Sequence, residues 1–114
     1  MYARVLSATV QPGRLEELAR AVQEAVQTTI KPRQGFKQAL VLTDPSTNKV
    51  MAISLWETEA DRDAHVAAGR SVWGTQADLD ANVAAGRVPK HQADAVKALT
   101  APPVEEFYEV SFLE

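Results

Sequence analysis

The chain has 114 residues, of which 46% are hydrophobic and 24% charged, as in an ordinary globular domain. Twelve basic and fifteen acidic residues give a net charge of -3 without any block of like charge, which excludes the basic footprint of a nucleic-acid-binding protein. Cysteine is absent, which excludes disulfides, thiolate metal sites and a cysteine nucleophile.

One domain spanning residues 1–114 is expected, because this length matches the commonest size of a single hydrophobic core. No apolar run approaches the roughly 20 residues of a membrane span, and residues 1–13 alternate where a signal peptide would be continuously apolar. We therefore expect a cytoplasmic protein that binds neither membrane nor nucleic acid.

The first half of the chain predicts a strand, a helix and a hairpin. Residues 2–10 alternate in the manner of a strand, and apolar residues spaced by three and four then predict a helix over residues 15–30. Residues 36–44 and 50–57 predict two more strands. The turn formers DPSTN at 44–48 join these two strands into a hairpin.

A second helix is predicted to start after Thr58, which opens a sequence that resembles a capping box. This helix should run from Glu59 to about Ala68, where Gly69 fits a C-terminal cap. The octapeptide DAHVAAGR at 63–70 returns as DANVAAGR at 80–87. We interpret both copies as helix ends that finish in a glycine cap.

Two shorter helices follow, one capped by Thr75 or Asp78 and one beginning at Pro89, within a helical insertion at about 66–101. Residues 104–114 alternate again and predict a last strand. The order of elements predicts an α+β fold of ferredoxin-like βαββαβ type, with an antiparallel four-stranded sheet and helices on one face.

Alternation sorts the strand residues into two faces that are both apolar. The face assigned to the helices contains Leu6, Val10, Phe36, Leu40, Leu42, Met51, Ile53, Leu55, Val110 and Phe112. The opposite face contains Val5, Ser7, Thr9, Ala39, Val41, Ala52, Ser54, Trp56, Phe107 and Leu113. Because this second face is too apolar to remain in water, we expect a homodimer through the sheet face.

Three stretches carry a resemblance to a known family: VQPGRLEEL at 10–18, GFKQALVLTD at 35–44 and ISLWETEADRDA at 53–64. They are similar to the antibiotic-biosynthesis-monooxygenase-like domains of the dimeric α+β barrel superfamily. The resemblance implies a dimeric barrel and either cofactor-independent oxidation of phenolic or quinol substrates, haem degradation, or no catalysis. It adds no cofactor and no metal to the expectation.

Haem degradation is disfavoured by the same comparison. The resemblance implies that haem-degrading members place an Asn on the first strand, a Trp at the end of the third strand and a His on the following helix. Trp56 matches, the first strand has no Asn, and His65 is about one turn from the expected position.

Trp56 and His65 are the candidate catalytic residues. Trp56 either stacks on a substrate or serves as a packing anchor or dimer contact. His65 has an ordinary pKa near neutrality and is the candidate general base. It lies four residues after Asp61, so the two side chains share a helix face, and a solvated face explains them as well. Two such ligands do not predict a metal site.

Four further residues are candidates for substrate binding: Tyr2, Arg4, Trp73 and Tyr108. Tyr2 and Tyr108 are expected on one sheet face, where their hydroxyls would meet a ligand. Arg4 either reaches out to solvent or pairs with Glu106. Trp73 either plugs the helical insertion onto the sheet or forms part of a lid.

The leading hypothesis is a small-molecule enzyme of monooxygenase type with a pocket between the sheet and the helical insertion. The alternative is a dimeric protein that binds a small aromatic ligand without catalysis. An enzyme should show a pocket of about 300 Å³ or more with several polar groups converging in it.

Overall fold

The sheet has four strands, which are β1 (Tyr2–Thr9), β2 (Phe36–Asp44), β3 (Lys49–Trp56) and β4 (Val104–Glu109). In this computed structural model, which describes residues 1–114, they pair antiparallel in the order β2-β3-β1-β4. This order confirms the predicted ferredoxin-like α+β fold. The last strand is shorter than predicted. Its last residue pair with β1 is Glu109 with Tyr2, and the peptide N–H of Val110 bonds the carbonyl of Met1.

The helices are α1 (Leu15–Ala25), which continues into a π-helical turn at Val26–Ile30, α2 (Glu59–Trp73), α3 (Gln76–Ala84) and α4 (Lys90–Val96). Both predicted threonine caps are present. The hydroxyl oxygen of Thr58 accepts from the N–H of Asp61 at 3.1 Å, and that of Thr75 accepts from the N–H of Asp78 at 3.0 Å. Each bond satisfies one free donor of a helix N-terminus.

The predicted end of α2 at Gly69 is wrong. Gly69 lies inside the helix, which ends only at Gly74, because Val72 one turn further on packs against the small apolar cluster of the insertion. In the second copy of the octapeptide the interpretation is confirmed, since Gly86 has a φ of 75° just beyond α3. Pro89 follows closely there and excludes a continued helix.

The main core lies between the sheet, α1 and α4. Its buried members are Val10, Leu18, Ala21, Val50, Ala95 and Ala98. A second, smaller cluster holds the helical insertion together through Leu79, Val88 and Ala93. The insertion is therefore packed on its own apolar residues as well as on the sheet.

The predicted sorting of the two sheet faces is wrong for most of β2 and β3 and for Phe107 of β4. The strand register pairs Arg4 with Ser54 and Leu6 with Ala52, and residues opposite each other point to the same side. The helix-covered face therefore contains Arg4, Leu6, Ala39, Val41, Val50, Ala52, Ser54, Trp56 and Phe107. One cause is a β-bulge between Phe36 and Gln38, which reverses the alternation within β2.

The opposite face, called the helix-free face below, contains Val5, Leu40, Leu42, Met51, Ile53 and Tyr108. Leu40 is 45% exposed and Leu42 is 48% exposed. The prediction that both faces of the sheet are apolar is thus correct, although the residues that form them differ from those expected.

Candidate functional site

Trp56 and His65 are in direct contact between the sheet and α2. Trp56 ends β3 and is fully buried, and the ring of His65 stacks on it with a centroid separation of 4.6 Å and an angle of 22°. The ring of Phe36 in β2 also packs edge-on against the indole of Trp56, with the two ring centroids 5.8 Å apart. The cap at Thr58 starts α2 directly after β3, so His65, two turns into the helix, lies over the end of the strand.

The indole of Trp56 is held in place by a hydrogen bond. Its Nε1–H donates to the hydroxyl oxygen of Ser54 at 2.9 Å, on the same face of β3. This bond satisfies the only polar atom of the side chain, as a fully buried tryptophan requires. The prediction of a dimer contact at Trp56 is wrong, since the ring faces the helices of its own chain.

His65 is bonded to a chain of charged side chains. Its Nε2 lies 3.2 Å from Nη1 of Arg4. Arg4 in turn donates from Nε and Nη2 to the carboxylate of Glu105, at 2.9 and 2.6 Å. Arg70 of α2 reaches the same carboxylate at 2.9 Å. The predicted partner Glu106 is wrong, because Glu106 pairs with Val5 and so belongs to the helix-free face.

His65 is only 6% exposed, and its pKa is lowered from 6.5 to about 4, with burial as the largest cause. The positive charges of Arg4 and Arg33 contribute to this lowering, and the carboxylate of Glu105 opposes it. The imidazole is therefore neutral at physiological pH. The expectation of a solvated helix face around His65 is wrong.

Glu105 remains ionised although it is partly buried. Burial raises the pKa of this carboxyl group, but the hydrogen bonds and charges of Arg4 and Arg70 outweigh that effect and hold the pKa below its usual value. Its negative charge is thus already neutralised by two arginines.

Arg62 forms the outer side of this region. It is buried, with its guanidinium 4.9 Å from the ring centroid of Phe107 and 5.8 Å from that of Tyr2. Cation–π contacts of this kind place the positive charge over two aromatic faces. Tyr2 is half-buried here and shares the site region with Trp56, whose backbone lies opposite it in the sheet.

Two of the predicted binding residues lie elsewhere. Tyr108 pairs with Ala3 and is therefore on the helix-free face, so the prediction that it shares a face with Tyr2 is wrong. Trp73 is the last residue of α2 and is 39% exposed, so part of its side chain lies in solvent.

Two grooves on the surface do not reach the Trp56–His65 pair. One, of about 530 Å³, lies between α1 and β2 and is lined by Arg20, Gln23, Glu24, Val26, Gln27, Ala39 and Val41. The other, of about 460 Å³, runs beside Gly13 and His91. The ring of His65, stacked on Trp56, occupies space between α2 and the end of β3, where the sequence predicted a pocket. No group of three or more His, Asp or Glu residues is arranged to hold a metal ion.

Sequence reasoning missed Glu105, Arg33 and Arg62. Each looks like an ordinary surface charge in the sequence. The register of β4 brings Glu105 towards His65, and the turn before β2 brings Arg33 there. A charged residue on an otherwise apolar strand face, such as Arg4, is a signal that a buried partner should be sought.

The family model for antibiotic biosynthesis monooxygenases matches residues 1–93. The chain belongs to the antibiotic biosynthesis monooxygenase family. No curated protein matches the sequence of this family member. None of its helices combines the length and the apolar character that crossing a membrane would require.

Solved structures share the fold of this antibiotic biosynthesis monooxygenase family member. A protein from Nitrosomonas europaea, provisionally assigned as an antibiotic biosynthesis monooxygenase, is 17% identical with a TM-score of 0.65, over 98% of this chain and 100% of its own. Another, of unknown function and from the same organism, is 20% identical with a TM-score of 0.66, over 99% and 91%. SnoaB, described as a cofactor-independent oxygenase from Streptomyces nogalater, is 14% identical with a TM-score of 0.61, over 98% and 94%.

Proposed function

We propose that this chain is a small-molecule enzyme of monooxygenase type that oxidises phenolic or quinol substrates without a cofactor. The reaction takes place at the Trp56–His65 pair. The observation that carries the proposal is a buried, neutral imidazole stacked on a fully buried indole, beside the charge of Arg4. Family membership supports it, as does the description of SnoaB.

Such a reaction needs no outside reductant, as an anthrone illustrates. The ionised substrate passes electrons to O₂, a peroxide forms on the ring carbon, and loss of water leaves a carbonyl where a CH₂ group stood. One oxygen atom enters the product and the other leaves as water, and the substrate supplies all the electrons. The protein has to exclude water, orient the ring and stabilise the substrate anion.

In this proposal Trp56, which is fully buried, holds the ring of His65 in place through the stack and makes the inner side of the site apolar. His65 supplies a hydrogen bond, and Arg4 acts as a positioning residue that holds the imidazole through Nε2. A pKa of about 4 makes His65 a weak base, so holding the substrate anion suits it better than the general-base role suggested by the sequence. Tyr108 lies on the helix-free face and has no part in the site.

A second candidate function is a dimeric protein that binds a small aromatic ligand without turnover. The same low pKa of His65 favours it, because a phenol with an ordinary pKa near 10 would lose its proton to this imidazole only with great difficulty. Binding of an already ionised ligand would need no such transfer.

A homodimer through the helix-free face is part of the proposal. Leu40 and Leu42 are half-exposed there, next to Val5, Met51 and Ile53, and no helix of the chain covers them. An isologous contact between two such faces would cover both with one self-complementary surface. The cytoplasmic location remains a prediction from the sequence.

Oxygen consumption tests the proposed reaction. The purified protein is mixed with a panel of hydroquinones and anthrones, and O₂ uptake is recorded with an electrode. We expect uptake with at least one substrate, and a loss of about tenfold or more in the variants Trp56→Phe and His65→Gln. Both substitutions keep a side chain of similar size.

His91→Gln is the matched control, because His91 is exposed on α4 and bonds only Glu24. This variant should keep the full rate. Ligand binding without oxygen uptake would favour the second candidate function. Equal oxygen uptake by wild type, Trp56→Phe and His65→Gln would show that the reaction does not take place at this pair.

A further inference from the structure

Two buried N–H groups of the chain have no hydrogen-bond acceptor. They are Nδ1 of His65 and Nε of Arg33, and both are shielded from solvent. Arg33 also makes no ion pair with any carboxylate of the chain. Buried donors without partners are rare and destabilising, and the charge of Arg33 is close enough to lower the pKa of His65, so these two donors are a reason to look for a missing acceptor.

The proton on Nδ1 of His65 follows from its neighbour Arg4. The guanidinium of Arg4 has only donors, and its Nη1 lies 3.2 Å from Nε2 of His65, so Nε2 must be the acceptor. Because the imidazole is neutral, its single proton is then on Nδ1. Arg4 therefore fixes the tautomer in which the unsatisfied atom of His65 is a hydrogen-bond donor.

The turn that carries Arg33 is held against the same part of the molecule. Gly35 lies so close to α2 that a side chain there would overlap Asp61, one helical turn before His65. The carbonyl of Gly35 also accepts from the N–H of Glu57, directly after Trp56. Backbone contacts on both sides thus place Arg33 near His65.

The charges around His65 favour a negative ligand. Arg4 and Arg33 disfavour a positive charge on the imidazole, and by the same Coulomb interaction they stabilise an anion beside it. Glu105 is the carboxylate that opposes them, and its charge is already shared between Arg4 and Arg70. Arg33 is the cation of this region that lacks a counter-ion.

We propose that His65 Nδ1–H and Arg33 Nε–H together form a subsite for the oxyanion of an aromatic ligand, either a carboxylate or a phenolate. Both groups are donors, and a delocalised oxygen anion accepts two such bonds at once. Because His65 is stacked on Trp56, a ligand bonded to Nδ1–H would lie at the edge of this aromatic pair. The inference shares its location with the proposed function but does not require turnover.

Calorimetric titration of the purified protein tests the subsite. Benzoate represents the carboxylate, pentafluorophenolate the phenolate, and benzamide is the neutral ligand of matched shape. We expect at least one of the two anions to bind at least about tenfold more tightly than benzamide. The tighter of the two anions identifies the source of the oxyanion. Equal binding of benzamide and both anions, or no binding of any of them, would overturn the proposal.

Variants separate the donor from the charge. Arg33→Gln should weaken anion binding about tenfold or more, and Arg33→Lys should weaken it too, since lysine keeps the charge but lacks the Nε–H. Arg87→Gln removes one positive charge from an exposed loop and should leave affinity unchanged. If Arg87→Gln weakens binding as much as Arg33→Gln, the effect is general charge and the subsite is rejected. If the Arg33 variants do not fold, the wild-type comparison of anions with benzamide decides alone.

Failure of the proposed subsite can also be told apart from failure of the proposed oxygenation. Selective anion binding without oxygen uptake supports the subsite and rejects the oxygenation. Oxygen uptake at equal rates with ionised and neutral substrates supports the oxygenation and rejects the subsite.

Discussion

His65 should make the stability of this protein depend on pH in a range where few other groups titrate. In the unfolded chain its pKa has the ordinary value of 6.5, whereas in the folded protein it is about 4. As the pH falls below 6.5, the unfolded state gains a proton that the folded state does not bind. The contribution of His65 is therefore complete above pH 6.5 and is lost progressively as the pH falls towards 4.

The magnitude follows from the two pKa values. Between about pH 7.5 and about pH 5, the full shift corresponds to a loss of about 2 kcal/mol in the free energy of unfolding. Arg4 and Glu105 are 18% and 20% exposed, so water screens part of their effect. We therefore expect a loss of about 1–2 kcal/mol. The carboxyl groups with lowered pKa values contribute mainly below this range, because their ordinary values are 4.5 or lower.

Urea denaturation at the two pH values, at one protein concentration, measures this loss. The variant His65→Gln should show a much smaller difference between the two pH values, whatever its own stability. His91→Gln, which removes the exposed histidine, should behave like the wild type. An equal loss in the wild type and in His65→Gln would refute the reasoning and assign the pH dependence to other groups.

Two further predictions concern the turn before β2 and the helix-free face. Gly35→Ala should destabilise the protein more than Gly13→Ala does in thermal unfolding. Both glycines have positive φ, which costs an alanine about 1–2 kcal/mol, but only at Gly35 would the new Cβ also overlap Asp61. Leu42→Lys should convert the proposed dimer to monomers in sedimentation at micromolar concentration, whereas Thr43→Lys on the other face of the same strand should not. A wild type that sediments as a monomer would reject the dimer.

The order of the elements and most of their bounds could be predicted from the sequence, because local signals define them. The spacing of apolar residues by three and four predicted α1, and the threonine caps predicted where α2 and α3 start. These features depend on residues within one turn of each other, so no knowledge of the rest of the fold is needed.

The faces of the sheet could not be predicted in the same way, because they depend on how strands pair. When both faces are apolar, alternation alone does not say which one the helices cover. The bulge before Gln38 then reversed the sorting within β2 and moved Leu40 and Leu42 to the helix-free face. Pairing across the sheet also decided that Arg4 meets Glu105 and not Glu106.

Trp56 and His65 were both singled out from the sequence and are in contact in the structure, but their surroundings were not predictable. The stacking of the two rings requires the position of α2 over β3, and the unsatisfied Nδ1 requires the contact with Arg4. Both are long-range contacts that no spacing in the sequence encodes.

The repeated octapeptide shows what decides where a helix stops. Its two copies differ in one residue, yet the chain stays helical through Gly69 and leaves the helix at Gly86, so the residues that come next determine the outcome. Because α2 continues for one more turn after Gly69, Arg70 stays within the helix, where its guanidinium donates to the carboxylate of Glu105. A proline introduced at Val72 would remove that turn, and the carboxylate that anchors Arg4 would then lose one of its two cations although no residue of the site had been changed.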